Sequence, residues 1–333
     1  MITIRGARGA ALENDAAGRG SWTDVRRVSR ADLERLEREY GILPDHLQDM
    51  LDADEESRIE KEDGYTLLVV RIPVFEPGTE VAYFTVPLGV FLFPDRVVTV
   101  CQGDCEVLRD LADGKVRDLD VANRSAFVLH LLGRAALVFL RHLKDLNRRT
   151  TVIERELQRS VRNHELIQLL SIQKSLVYFT TSLKANELLL EKLQNGRILR
   201  FREEEAELLE DVLTDNKQAI SMADIHSDII TGTMDAFASV ISNNLNIVMK
   251  RLTVISICLM LPTFIVSAFG MNIPLPWHDD PYALVYVGGI SLALALVGAI
   301  VLRDRKPRLR RARVAAPVAG LVHGGVAPAR SRS

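Results

Sequence analysis

The sequence predicts an α+β domain, then long helices, then two apolar helices of membrane-spanning length at the C-terminal end. Three observations carry this reading. β-Branched and aromatic runs broken by proline and glycine are confined to the region before residue 118. No proline occurs between Pro94 and Pro262, so that stretch reads as helix. Two uncharged blocks follow, 18 residues from Leu252 to Phe269 and 22 from Pro281 to Leu302. A helix rising ~1.5 Å per residue needs roughly 20 apolar residues to cross a hydrocarbon core ~30 Å thick.

The chain accordingly divides into an α+β domain over residues 1–118 and a long-helix bundle with its stalk over 119–250. A membrane domain over 251–302 holds spans at 251–269 and 281–302 joined by a loop at 270–280, and a basic tail occupies 303–333. In the first domain, Tyr65–Phe75, Ala82–Phe93 and Arg96–Val100 read as strands, separated by Pro77-Gly78 and Pro94-Asp95. Ser29–Glu56 is charged, with Leu33, Leu36, Leu43, Leu47 and Leu51 at helical spacing. Met1–Gly20 carries Arg, Glu and Asp without a continuous apolar core, which does not fit an ordinary signal peptide. Cys101, Cys105 and Cys258 make neither a disulfide framework nor a zinc spacing, and read as buried thiols in a reducing compartment. A net charge of −2 gives no reason to expect a nucleic-acid partner.

One or two helices are expected from Asp120 to Gln194, with Asn195-Gly196 as the turn, and one very long helix from Glu203 to Phe269. At ~1.5 Å per residue the last would be on the order of 100 Å long. A helix of that length needs partners along its apolar face, and identical subunits supply them, so an oligomer is predicted. The tail after Arg313, rich in Ala, Gly, Pro and Arg, has the composition of a disordered segment.

Charge sets the orientation. Lys250 and Arg251 precede the first block, and Arg303, Arg305, Lys306, Arg308, Arg310, Arg311 and Arg313 follow the second, while the loop between has no Lys or Arg. The positive-inside rule then puts both termini in the cytoplasm of a multi-pass protein of the cell (inner) membrane. Two buried helices of a soluble core are the alternative, disfavoured because nothing amphipathic interrupts either block.

The first block holds more polar groups than an anchor needs. Asp235, Ser239, Ser242, Asn246, Met249, Thr253, Ser256, Met260, Thr263 and Ser267 recur at alternating steps of four and three, and eight of these ten carry side-chain oxygen. That is a heptad seam on one helix face. Phe237, Ile241, Leu245, Val248, Leu252, Ile255 and Leu259 flank it with packing surface. Polar residues inside a membrane turn toward a bundle interior or water, so the seam reads as the wall of a wet axis. Hydroxyls that bond their own helix carbonyls, or glue helices together, are the competing account. Met249, Leu252 and Met260 would narrow such an axis, where apolar constrictions can gate by dewetting; plain packing is the other role open to them.

Gly270-Met271-Asn272 ends the seam, before a short loop in a two-span C-terminus. Together with Ser242-Asn243-Asn244-Leu245-Asn246-Ile247-Val248-Met249-Lys250-Arg251-Leu252-Thr253 and Leu261-Pro262-Thr263-Phe264-Ile265, it resembles the CorA magnesium channel family. The resemblance is specific over Asp235–Leu302 and rests on element order before that. It implies a homopentameric funnel whose stalk helices line the pore, whose second spans form an outer ring, and whose cytoplasmic domains sense magnesium. It further implies that Asn272, with Gly270 and Met271, forms the outer selectivity ring. Asp235, Asn246 and Thr263 would face the pore, and Met249, Leu252 and Met260 would form the gate. Asp211 would share a regulatory Mg2+ with Asp49 of a neighbouring subunit; a solvated charge is the alternative for Asp211. The chain departs from the pattern in its loop, where the acid pair Asp279-Asp280 has no clear counterpart. His278 could touch cations there, although an exposed loop histidine is the plainer reading.

The chemistry suits Mg2+, which demands near-octahedral oxygens and gives up water reluctantly. No Asp or Glu lies between Asp235 and Asp279, so amide and hydroxyl oxygens would meet the ion through its water shell. No phosphate-binding loop, nucleophile elbow or HExxH motif appears, and neither ATP-driven transport nor enzymatic activity is expected. The predicted function is passive Mg2+ influx, closed by intracellular Mg2+ at subunit interfaces, with Gly232 as a stalk hinge. Co2+, Ni2+ or Zn2+ on the same fold is one alternative; the absence of His or Cys on the seam argues for Mg2+. A non-conducting membrane-anchored coiled-coil sensor or scaffold is another.

Overall fold

The computed structural model describes residues 2–5, 20–116, 119–159, 163–195, 198–199, 201–271 and 281–302. The chain forms two units, Met1–Ile241 and Ser242–Ser333.

The first unit is built on one sheet of six strands in the order β1-β2-β6-β5-β4-β3. The strands are β1 Ile2–Arg5, β2 Ser21–Arg26, β3 Arg58–Lys61, β4 Thr66–Phe75, β5 Tyr83–Leu92 and β6 Arg96–Cys101. Only β2 and β6 run parallel; the other neighbours are antiparallel. The three runs read as strands in the sequence are β4, β5 and β6. β1, β2 and β3 went unforeseen. β2 carries Asp24 and Arg26, and its charge is reconciled with burial by a fork in which Arg26 Nε donates to Asp24 Oδ2 at 3.0 Å.

Both faces of the sheet are covered, which explains why β4 and β5 read as continuous apolar runs rather than alternating ones. On β4, Leu67 and Val69 pack with Leu36, Ile42, Leu47 and Met50 of the α1–α2 segment, where α1 is Arg30–Tyr40 and α2 is Pro44–Asp49. Leu68, Val70 and Ile72 face the other way, onto α3 (Glu106–Ala112), α4 (Arg124–Arg159) and α5 (Asn163–Gln194). The helical spacing read over Ser29–Glu56 resolves into these two helices, the second ending at Asp49. Ser29 and Asp32 close a capping box at the start of α1, and Gly41, in the left-handed region at φ 67°, ends it. Pro44 then opens α2 at its first turn.

Helices α4 and α5 fill the span expected from Asp120 to Gln194. Asn123 Oδ1 accepts from Ala126 N at 3.3 Å, and its amide donates to Glu205 Oε1 at 2.6 Å. The starts of α4 and α6 are thereby tied to each other. Asn186 fixes α5 to the sheet by pairing with both backbone groups of Arg71, at 3.0 and 2.7 Å. A second apolar cluster, with Phe139 against Phe179 edge-on at 5.0 Å, joins α4, α5 and the early part of α6.

The long helix α6 covers Glu203–Phe269, the bounds read from the sequence. Gly232 lies within it without a break. Pro262 is also inside it, lacks an N–H, and so leaves the Cys258 carbonyl without its helical donor. In the second unit α7, Ala283–Leu302, provides 20 uncharged residues, all but Ser291 and Tyr286 without a polar side-chain group. α6 contains a strongly apolar window with none of it buried, whereas the apolar window of α4 is mostly buried and belongs to the soluble core. The basic tail, residues 272–280 of the loop and Gly196 of the expected turn lie outside the described residues.

Candidate functional site

All ten seam positions of α6, from Asp235 to Ser267, are exposed in the single chain. Their hydroxyls are not idle. Ser239 donates to the Asp235 carbonyl at 3.0 Å, Thr253 to Met249 at 2.9 Å, Ser256 to Leu252 at 3.0 Å and Thr263 to Leu259 at 2.8 Å. The account in which hydroxyls bond their own helix is thus true of these four. It does not exhaust them, because a hydroxyl that has spent its hydrogen still offers lone pairs outward.

Within the second unit α7 meets α6 on the face that carries Cys258 and Leu261. A methyl added at Gly298 of α7 would touch Leu261 Cδ1 at 3.4 Å and Cys258 Sγ at 3.8 Å. The half-buried positions of this part of α6 are Val254, Ile257, Cys258, Leu261, Pro262, Ile265, Ala268 and Phe269. At ~100° per residue their mean direction is about 150° around the helix from that of Thr253, Ser256, Met260, Thr263 and Ser267. The polar stripe therefore lies on the side of α6 away from α7. The gate candidates Met249, Leu252 and Met260 are exposed on the same broad side, at 52%, 57% and 68%. Leu245, Val248, Ile255 and Leu259 are exposed as well, so this stretch of the expected packing flank is uncovered by the described residues, while Phe237 at its start is half-buried against the second apolar cluster.

Helix α6 stops at Phe269. Gly270 N–H still donates to the Val266 carbonyl at 3.0 Å, and Met271 follows, half exposed. Asn272, His278, Asp279 and Asp280 lie outside the described residues.

Asp49 and Asp211 both fall in the first unit but line different cavities. Asp49, on α2, borders one of about 540 Å³ with Asp45, Gln48, Leu51 and Asp52, and its carboxylate accepts from Arg58 Nη2 at 2.6 Å. Asp211 is exposed on α6 and borders one of about 280 Å³ with His130, Arg134 and Asp215. Asp215 escaped the sequence reading. Burial, and then the negative charge of Asp211 one turn away, push its carboxyl above the ordinary range. The i, i+4 spacing of the two acids was the available signal.

A model of the CorA-like Mg2+ transporter protein family matches residues 18–305. The chain belongs to this family. CorA membership makes it a membrane transporter of divalent cations. The chain is 25% identical over 287 residues to the cobalt/magnesium transport protein CorA of Methanocaldococcus jannaschii, covering 85% of this chain and 89% of that one. It is 22% identical over 288 residues to the protein of the same description from Thermotoga maritima, covering 84% and 79%. Its fold matches the complete structure of the CorA magnesium transporter from Methanocaldococcus jannaschii with a TM-score of 0.78 at 23% identity, over 92% of this chain and 98% of that one.

Proposed function

We propose that the chain conducts Mg2+ passively into the cell as a homopentamer, around an axis lined by the polar stripe of α6. The observation that carries this is the position of the stripe opposite α7. If α7 forms an outer ring in lipid, the stripe is the face left for an interior, and polar groups in a membrane belong there. Waters around a cation point their hydrogens outward, so the wall must accept hydrogen bonds. Thr253, Ser256 and Thr263, with their hydrogens engaged by the helix, present acceptors in that direction. Five copies of Asn272, beside Gly270 and Met271, would hold the hydrated ion at the outer mouth without a charge trap, which leaves it free to move on. Met249, Leu252 and Met260 would make the apolar constriction.

Both termini lie in the cytoplasm of the inner membrane in this arrangement, and the membrane potential drives entry at ~2.3 kcal/mol per charge per 100 mV, doubled for a dication. Intracellular Mg2+ would close the pore by bridging Asp211 of one subunit and Asp49 of the next, with Gly232 as the hinge. Their separation into different cavities of one chain accords with a bridge that needs two. Co2+ is a second cargo to consider, because both curated relatives are described as cobalt/magnesium transport proteins.

Uptake into proteoliposomes tests the reading. Wild-type protein should pass Mg2+ down an imposed potential, and Asn272→Ala should abolish the flux while leaving the oligomer intact. Flux unchanged by that substitution overturns the selectivity ring, and no flux from either protein favours the anchored sensor or scaffold.

A further inference from the structure

We propose that His46, Glu60 and Glu62 form a binding site for a first-row transition-metal dication of the cobalt–nickel–zinc class. It lies in the first unit, separate from the seam and from Asp211. One ligand atom from each residue falls within 4.8 Å of the others. Ligands held ~2 Å from a common metal are separated by up to about twice that distance, so small side-chain movements would close the shell.

The three groups come from different elements. His46 sits on α2 and Glu60 on β3, the edge strand. Glu62 opens the tight turn to β4, where its N–H donates to the Tyr65 carbonyl at 2.9 Å. His46 is 93% buried, being only 7% exposed, and its Nε2 approaches Glu60 Oε2 at 2.9 Å. Its other nitrogen, Nδ1, lies 2.9 Å from the Tyr65 hydroxyl, which also accepts from Leu43 N–H at 3.2 Å. Metal-binding histidines are oriented in this manner by a partner on the second nitrogen. With a metal on Nε2, the ring proton would sit on Nδ1, and Nδ1–H would donate a hydrogen bond to the Tyr65 oxygen.

A plain His46–Glu60 pair accounts for one carboxylate, not two. Arg58 occupies the opposite oxygen of Glu60 at 2.6 Å, but it also serves Asp49 and Glu55, so acids outnumber bases around the site. A dication relieves that imbalance. Imidazole with carboxylates suits cobalt, nickel or zinc, whereas Mg2+ selects oxygen. The site thus has the selectivity that the seam lacks.

The full-length protein in detergent, titrated with Co2+ in a large excess of Mg2+, decides it. The expected result is a Co2+ population that Mg2+ does not displace, with an imidazole ligand visible by X-ray absorption. His46→Gln, which can keep the Tyr65 hydrogen bond, should remove it. Glu62→Gln, at the turn and clear of the core, should weaken it by about 10-fold or more. Asn272→Ala should retain it, which separates this site from the pore reading. Complete displacement by Mg2+, equal Co2+ binding in wild type and both site variants, or loss in Asn272→Ala overturns the proposal.

Discussion

The two units of the chain use the same kinds of residue in opposite ways. In the first, Trp22, Phe91, Phe127, Phe139 and Phe179 are sealed from solvent. In the second, Leu259, Met260, Phe264, Val285 and Ile300 are each more than two-thirds exposed. Water would not tolerate the second arrangement as a stable surface, since apolar patches of that extent mark contact with lipid or with another protein. The first unit carries its own core, whereas the second is a pair of helices whose apolar partners are supplied from outside the chain.

The largest expected effect follows from that contrast. Phe179→Ala removes a ring packed edge-on against both Phe139 and Tyr83 and should cost about 3–5 kcal/mol of first-unit stability. Phe264→Ala, 73% exposed in the second unit, should leave that unfolding transition where it is. Denaturant unfolding followed by circular dichroism compares them; equal losses would erase the distinction between the units.

The contrast also explains how much the sequence disclosed. Long uniform elements announce themselves, so α6 was legible to the residue and the two apolar blocks to within a few. β4, β5 and β6 were legible because a strand covered on both faces is apolar throughout. β2 was not, since Asp24 and Arg26 look like a surface until their mutual fork is seen. The seam could be read from its spacing, and its direction relative to α7 could not. The approach of His46 to Glu60 and Glu62 required the fold, because nothing in the spacing of residues 46, 60 and 62 shows that α2 packs beside β3.

A smaller effect comes from a charge that the first unit keeps inside. Asp110 is buried, which by itself would raise its carboxyl, yet hydrogen bonds from Lys115 and Arg134 and the charge of both hold it below the ordinary value. A depressed carboxylate contributes stability that is present above its unfolded pKa and lost as pH falls through the folded one. Asp110→Ala should therefore cost about 3 kcal/mol near neutrality, the low end for a broken buried pair because Lys115 reaches solvent. The gap between variant and wild type should close in acid. A gap independent of pH would mean that packing, not charge, is what Asp110 supplies.

The smallest effect lies at Asp215, where burial and the Asp211 charge act against ionisation. The sign is opposite to that of Asp110. A carboxyl raised by folding adds stability only while protonated, and that contribution is lost as pH rises through the folded pKa. Asp215→Asn should stabilise the chain at neutral pH by about 0.3 kcal/mol, the scale of a like-charge pair one helical turn apart, and do nothing in acid. A Mg2+ bound there, as the regulatory proposal has it, would reverse the account, since a dication relieves the repulsion that the substitution removes. Under the regulatory proposal, Asp211→Ala should abolish Mg2+-dependent closure and Asp215→Asn should shift its midpoint to higher Mg2+. Both can be followed by protection of the stalk from proteolysis across a Mg2+ titration. Closure unchanged in Asp211→Ala would place the regulatory ion elsewhere and leave the Asp211–Asp215 pair as a small electrostatic cost carried by α6.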